Sequence, residues 1–269
     1  MIRLPDLPLP EPARTQLAAY QHEIDAIPDY ATRIKHGRKR FKALNRKGNP
    51  TFDSVKATLT RMCIGARRCA YCEDSAAHQV EHIRPKAFYP ELIFAWMNYL
   101  YACGACNEYK NSRFAVFAQE TSTLTKLRRA KGAPVGPPVS GSPVLIDPRI
   151  EDPSEFLELD LSDTFHFLPS APEGTVAHQR ATYTIKALGL NTRDYLPVAR
   201  ADAYTNYHSH LTCYVAAKQK NGPPERLAQL EQNIRTHHHP SVWREVKRQH
   251  PSLRDMKHLF EAAPEALRW

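Results

Sequence analysis

Two C-x-x-C pairs, Cys69/Cys72 and Cys103/Cys106, constrain this chain more than any other feature of its sequence. Two such turns supply four thiolates, which is the complete tetrahedral shell zinc takes in structural sites, and a full shell leaves no open position for chemistry at the metal. A structural Zn²⁺ is expected there. Two disulfides or a redox pair fit less well. The start Met1-Ile2-Arg3-Leu4-Pro5 lacks the basic-then-apolar order of a secretory signal, so a cytoplasmic chain with reduced thiols is expected. Cys63 and Cys213 have no knuckle partner and are expected to be small buried apolar residues.

With 269 residues the chain can bury a substantial core, and none of its apolar runs approaches a membrane span. Its net charge of +9 is unevenly placed. Residues 1–140 carry 22 Lys/Arg against 12 Asp/Glu, and residues 141–269 carry 15 against 16. The densest run, Arg33 to Lys42 with Arg46 and Lys47 beyond, has the composition of a polyanion-binding helix, although such runs are commonly solvated faces. Lys39, Arg40 and Lys42 within it, and Lys86 further on, are the expected contacts to nucleic-acid phosphates, sequence-independent and salt-sensitive.

Apolar spacings of three and four predict helix over 12–45, interrupted at Pro28, and over 51–64. A short strand is expected at 79–83, ended by Pro85, which cannot donate to a ladder, and a return strand at 98–101 leads through the second knuckle into a short helix. Gly, Pro and Ser crowd 132–143, which predicts a linker. Strands are expected at 144–146, 155–159 and 164–168, then helices beyond Thr175 near 192–219, 223–236 and 253–262. Tyr204, Tyr207 and Leu211 form an apolar face expected to pack in the core. His237, His238 and His239 precede Pro240 and are expected as an exposed cationic cap. The expected organisation is a basic helical region over 1–64, a zinc-knuckle module over 65–115, a linker over 116–143 and a mainly helical companion region over 144–269. The fold class is α+β, mainly helical.

Glu81-His82, Pro85, Asn98, Cys103-x-x-Cys106-Asn107 and Lys110 resemble the HNH endonuclease motif in its zinc-knuckle form, with Glu standing where that motif more often has Asp. The resemblance implies a ββα-metal module, with the histidine on the first strand, the middle asparagine on the return segment and the last asparagine at the start of the helix. It further implies that His82 is a general base, that Glu81 and Asn107 hold one Mg²⁺ or Mn²⁺ through oxygen, and that Asn98 orients the loop. Lys110, one turn after Asn107, is expected to face the same phosphate. Neighbouring strand residues point to opposite faces, so Glu81 and His82 share a site only if the strand is irregular or ends there.

A narrower resemblance covers most of the chain. Cys69-Ala70-Tyr71-Cys72-Glu73, Val80 to Lys86, Trp96-Met97-Asn98, Leu145-Ile146-Asp147-Pro148 with Asp152-Pro153, and Leu188-Gly189-Leu190-Asn191 with Leu196 and Arg200 are similar to the PtuB family, the HNH subunits of Septu-type antiphage systems also found with some retrons. That resemblance implies an ABC/SMC-like ATPase partner; the chain has no P-loop of its own. The function implied is DNA cleavage in antiphage defence. RNA cleavage is the alternative within the nuclease class, and a zinc ribbon that docks nucleic acid or a partner without cutting is the alternative outside it.

Overall fold

The computed structural model describes residues 1–269 except Ile64 and Lys131. Three helices open the fold: α1 (Glu11–Asp25), α2 (Tyr30–Leu44) and α3 (Pro50–Met62). Each begins where the sequence supplies a start signal. Asp29 accepts the Thr32 N–H at 2.7 Å, and Asn49 accepts the Phe52 N–H at 3.0 Å with Pro50 at the first helical position. Their inward stripes are Leu17, Tyr20 and Ile24 on α1, Ile34, Gly37 and Phe41 on α2, and Phe52, Val55, Leu59 and Met62 on α3. The α3 stripe is fully buried, and each such side chain contributes about 1.5–3 kcal/mol of transfer free energy. The expected helix over 51–64 stops at Met62, and Ile64 lies outside the described residues.

Helices α2 and α3 pack against a two-stranded antiparallel sheet, α2 through Phe41 on His82 and Tyr99. β1 (Gln79–His82) pairs with β2 (Tyr99–Ala102), from Gln79 opposite Ala102 to His82 opposite Tyr99. The chain then enters α4 (Gly104–Lys110), which packs on β1.

The stretch expected as a linker, 116–143, carries most of a three-stranded antiparallel sheet, while 132–140 within it forms neither helix nor strand. Its strands are β3 (Ala115–Ala118), β4 (Leu124–Lys126) and β5 (Gly141–Pro143), with β3 in the middle. The glycine at its end serves close approach, since a Cβ on Gly141 would stand 2.0 Å from the Phe117 carbonyl oxygen. Residues 144–146, expected as a strand, run on from β5 fully buried but outside the ladder, with Ile146 N–H donating to Thr184 Oγ1 at 3.0 Å. β6 (Leu157–Leu159) and β7 (Phe167–Pro169) form the expected hairpin.

The rest is helical: α5 (Val176–Leu188), α6 (Tyr195–Gln219), α7 (Pro224–Arg235), α8 (Pro240–Gln249) and α9 (Arg254–Ala262). Tyr207 and Leu211 of α6 are buried as expected, while Tyr204 is half-buried and donates its hydroxyl to Asp255 at 2.8 Å. α8 is not among the helices expected from the sequence, where His237 to His239 mark an expected helix end before Pro240. They are not an exposed cap. His239 is fully buried, starts α8 in the left-handed region at φ 53°, and places its Nε2 3.5 Å from Asp74 Oδ1. The lone cysteines also differ from expectation: Cys63 is half-buried and Cys213 exposed, the latter on an outward position of α6. No described helix is long and apolar enough to cross a membrane.

Candidate metal centre and catalytic cleft

The four knuckle cysteines converge. All are buried and free, and their sulfurs lie within 4.8 Å of one another. Cys72 and Cys103 sulfurs stand 3.9 Å apart, close to the ~3.8 Å edge of a tetrahedron with zinc–sulfur bonds of about 2.3 Å. The group fits a zinc site. Local structure aims the thiols: Cys103 caps α4, its Sγ accepting the Cys106 N–H at 3.3 Å, and Glu73 N–H closes the first knuckle onto the Cys69 carbonyl at 2.9 Å. Burial pushes the Cys69 thiol up, whereas hydrogen bonds from Cys106 and Cys69 hold Cys103 far below the usual thiol range.

One residue beyond the knuckles completes this centre. Arg193 presents both terminal nitrogens of its guanidinium to Cys106 Sγ, each at 3.3 Å, and is itself held by the Gly189 carbonyl at 3.0 Å and the Leu188 carbonyl at 3.1 Å. Four thiolates on Zn²⁺ carry a net charge of −2, and a buried guanidinium offsets part of it. Gly189, in the left-handed region at φ 59°, allows this turn, and a Cβ there would meet the Tyr109 ring of α4 at 2.5 Å. Arg193→Ala is expected to weaken zinc retention by about 10–100-fold. Competition against a graded chelator checks this, and Arg193→Lys should recover only part, because a single ammonium cannot present the paired donors.

Beside the four-cysteine centre, a cleft of about 390 Å³ opens at the end of β1, lined among others by Glu81, His82, Lys86 and Asn107. Alternation along the strand is intact. The His82 ring packs edge-on against Phe41 of α2 and Tyr99 of β2, at 4.5 and 5.0 Å between centroids, while the Glu81 carboxylate faces α4. Both line one cleft because the strand ends at His82 and the cleft wraps that end.

The His82 imidazole is fixed. Its Nε2–H donates to the Ile93 carbonyl at 2.9 Å, which sets the tautomer and leaves Nδ1 as acceptor, receiving the Lys86 ammonium at 3.1 Å. Burial holds its pKa well below the usual imidazole value; the charges of Lys86 and Lys110 add to this, and the Ile93 hydrogen bond partly opposes it. The ring is therefore neutral at pH 7. Asn98 accepts the Arg84 N–H at 2.7 Å and donates to the carbonyls of Arg84 at 3.1 Å and Leu92 at 2.9 Å, pinning the loop between the strands. Asn107 donates to Gln79 Oε1.

Lys110 does not face a phosphate. It is fully buried, donating to Glu81 Oε1 at 2.7 Å and to the His82 carbonyl at 2.8 Å. Its place on the inner face of α4, one turn after Asn107, puts it under the hairpin. Glu81 Oε2 makes no hydrogen bond among the described residues, so Glu81 and Asn107 bring carboxylate and carboxamide oxygens to one cleft, a donor set suited to a hard divalent cation.

The basic run divides. Lys39 and Lys42 are exposed, but Arg40 pairs with Glu23 at 3.1 Å and lies over the Tyr20 ring, away from the cleft. Arg38, which sequence reasoning passed over, lines the cleft. Arg149 was also passed over. It donates to the Tyr99 carbonyl at 2.6 Å and the Trp96 carbonyl at 3.3 Å, and so clamps the return strand.

No family model matches the chain. A stretch of 70 residues, 24% of this chain and 27% of its relative, is 33% identical to the Septu protein PtuB of Bacillus thuringiensis, a weak and partial similarity.

Proposed function

We propose that this chain is a metal-dependent HNH endonuclease that hydrolyses phosphodiester bonds of nucleic acid, DNA foremost, as the nuclease effector of an antiphage defence complex with an ABC/SMC-like ATPase. The observation that carries the reading is the His82 ring, neutral, held by a backbone carbonyl through Nε2 and offering Nδ1 beside Glu81, Asn107 and two cations.

Glu81 and Asn107 would hold one Mg²⁺ or Mn²⁺, which when bound supplies positive charge to the phosphate oxygens and the departing 3′-oxygen. The chain's own residues do the rest. Arg38 and Lys86 draw the scissile phosphate into the cleft. An incoming phosphate competes for the Lys86 ammonium and frees Nδ1, which then takes a proton from the attacking water. Asn98 holds the turn that carries Pro85 and Lys86, and Lys110 neutralises the buried side of Glu81. Four thiolates around zinc leave that metal a structural role, securing α4 and with it Asn107.

The test is digestion of plasmid DNA and of structured RNA in parallel, with the genomic-neighbour ATPase co-purified and each divalent cation added in turn. Cleavage that needs Mg²⁺ or Mn²⁺ supports the reading, and the better substrate decides between DNA and RNA. No cleavage of either polymer under any cation would leave a docking module.

A pH dependence follows from His82. Its neutral form persists below the ordinary imidazole pKa of about 6.5, so the acid limb of the rate profile should fall below that value. Lys86→Gln removes a charge that disfavours the imidazolium, leaving Lys110 as the nearby ammonium, and should move the limb upward while lowering the rate. A limb at or above pH 6.5 in the unaltered protein would contradict this.

A further inference from the structure

A second, larger cleft lies next to the first. It encloses about 910 Å³ and shares Ser112 with the catalytic cleft, while the consecutive residues Ala87 and Phe88 line one each. Its floor is apolar, with Phe114, Leu127 and Ala187 all buried. Its rim carries the exposed cations Arg113, Lys126, Arg128 and Lys186, none of which has an ion-pair partner among the described residues. Glu173 is the lone acid of the lining. Tyr183 stands in the wall partly buried, with one side packed against the core, and its hydroxyl has no hydrogen-bond partner among the described residues.

We infer that this cleft receives the single-stranded stretch of nucleic acid flanking the scissile phosphate, with Tyr183 as a stacking platform for a base and Arg113, Arg128 and Lys186 on the backbone phosphates. The inference deepens the nuclease reading and rests on it for the polymer. An apolar floor with an aromatic wall and a cationic rim suits an unpaired base and its phosphates, because every base has a π-face to stack while the charges follow the backbone. A duplex keeps its bases inside and would use only the rim. The volume, at the upper end of that of small-ligand sites, is large enough for nucleotides but not for a duplex.

The experiment is fluorescence anisotropy of the full-length protein without added Mg²⁺ or Mn²⁺. The probes are fluorescein-labelled 15-nucleotide oligo-dT, 15-nucleotide oligo-U and a 15-base-pair duplex DNA, at two salt concentrations. Tyr183→Ala should weaken single-strand binding by about tenfold, with Tyr183→Phe close to wild type and the duplex little affected. The triple variant Arg113→Gln, Arg128→Gln, Lys186→Gln should lower the log–log salt slope for single strands by about 2. Zinc content and melting temperature of each variant report on its fold, and Tyr183→Phe guards against a merely structural loss. Binding only to the duplex, equal single-strand affinity in Tyr183→Ala and wild type, or no binding to any probe would overturn the inference. Cleavage is scored separately: a protein that cuts but ignores Tyr183→Ala keeps the nuclease reading and loses this one, and one that binds through Tyr183 without cutting does the reverse.

Discussion

His82→Ala is expected to lower phosphodiester hydrolysis by about 10²- to 10⁴-fold, the range a positioned general base contributes. Zinc content should be unchanged, since no cysteine touches the ring. The fold will feel the substitution too: His82 is buried against Phe41 and Tyr99, and truncation leaves an apolar void and an Ile93 carbonyl that has lost one of its two donors, the other being Tyr99 Oη at 2.6 Å. His82→Gln keeps a donor for that carbonyl but has no basic nitrogen. It should show the same rate loss with a melting temperature nearer wild type. If instead His82→Gln retained most of the activity, the base would have to be another group.

Cys103→Ser carries the largest expected effect on stability. Cys103 contributes one corner of the thiol cluster and also caps α4 through its sulfur, so one substitution strikes the metal and the helix together. Structural zinc sites contribute roughly 10–16 kcal/mol of apparent binding free energy at neutral pH, against about 5–15 kcal/mol for the net stability of a folded protein. The variant is therefore expected to lose its zinc and, with it, cooperative melting. Elemental analysis of the purified wild type should find one zinc per chain, and the variant should contain none. A wild-type protein that is folded and metal-free would refute the assignment.

The four-cysteine cluster and the hairpin were legible because their signals are local. C-x-x-C spacing is set by the geometry of one turn, and Pro85 marks where a strand must stop donating. The three opening helices were legible for the same reason, each having an inward stripe, with a side-chain cap on α2 and α3. What escaped depends on contacts far apart in the chain. Gly141 looked like a linker residue because its partner, the Phe117 carbonyl, lies elsewhere in the sequence. His239 looked like a solvated cap because nothing near it announces Asp74. Lys110 was placed at the right turn of the right helix, yet its inward aim towards Glu81 is decided by how α4 rests on β1. Arg38 and Arg193 were invisible as functional residues since an arginine in a basic run, or at a helix start, carries no label until its neighbour is known.

The clamps on the hairpin bear on how such a site could ever be inherited piecemeal. Arg149 holds Tyr99, Arg193 holds Cys106, and Ser241 donates its hydroxyl and, at 3.3 Å, its backbone N–H to the buried carboxylate of Glu73, which also faces the Met1 ammonium at 2.9 Å. Excising residues 65–115 would leave a carbonyl, a thiolate and a carboxylate facing an interior from which their counterparts had been cut away. A graft of the cutting motif into a foreign host would thus transplant the reactive groups without their anchors, and any successful chimera must import the three distant residues along with the visible motif.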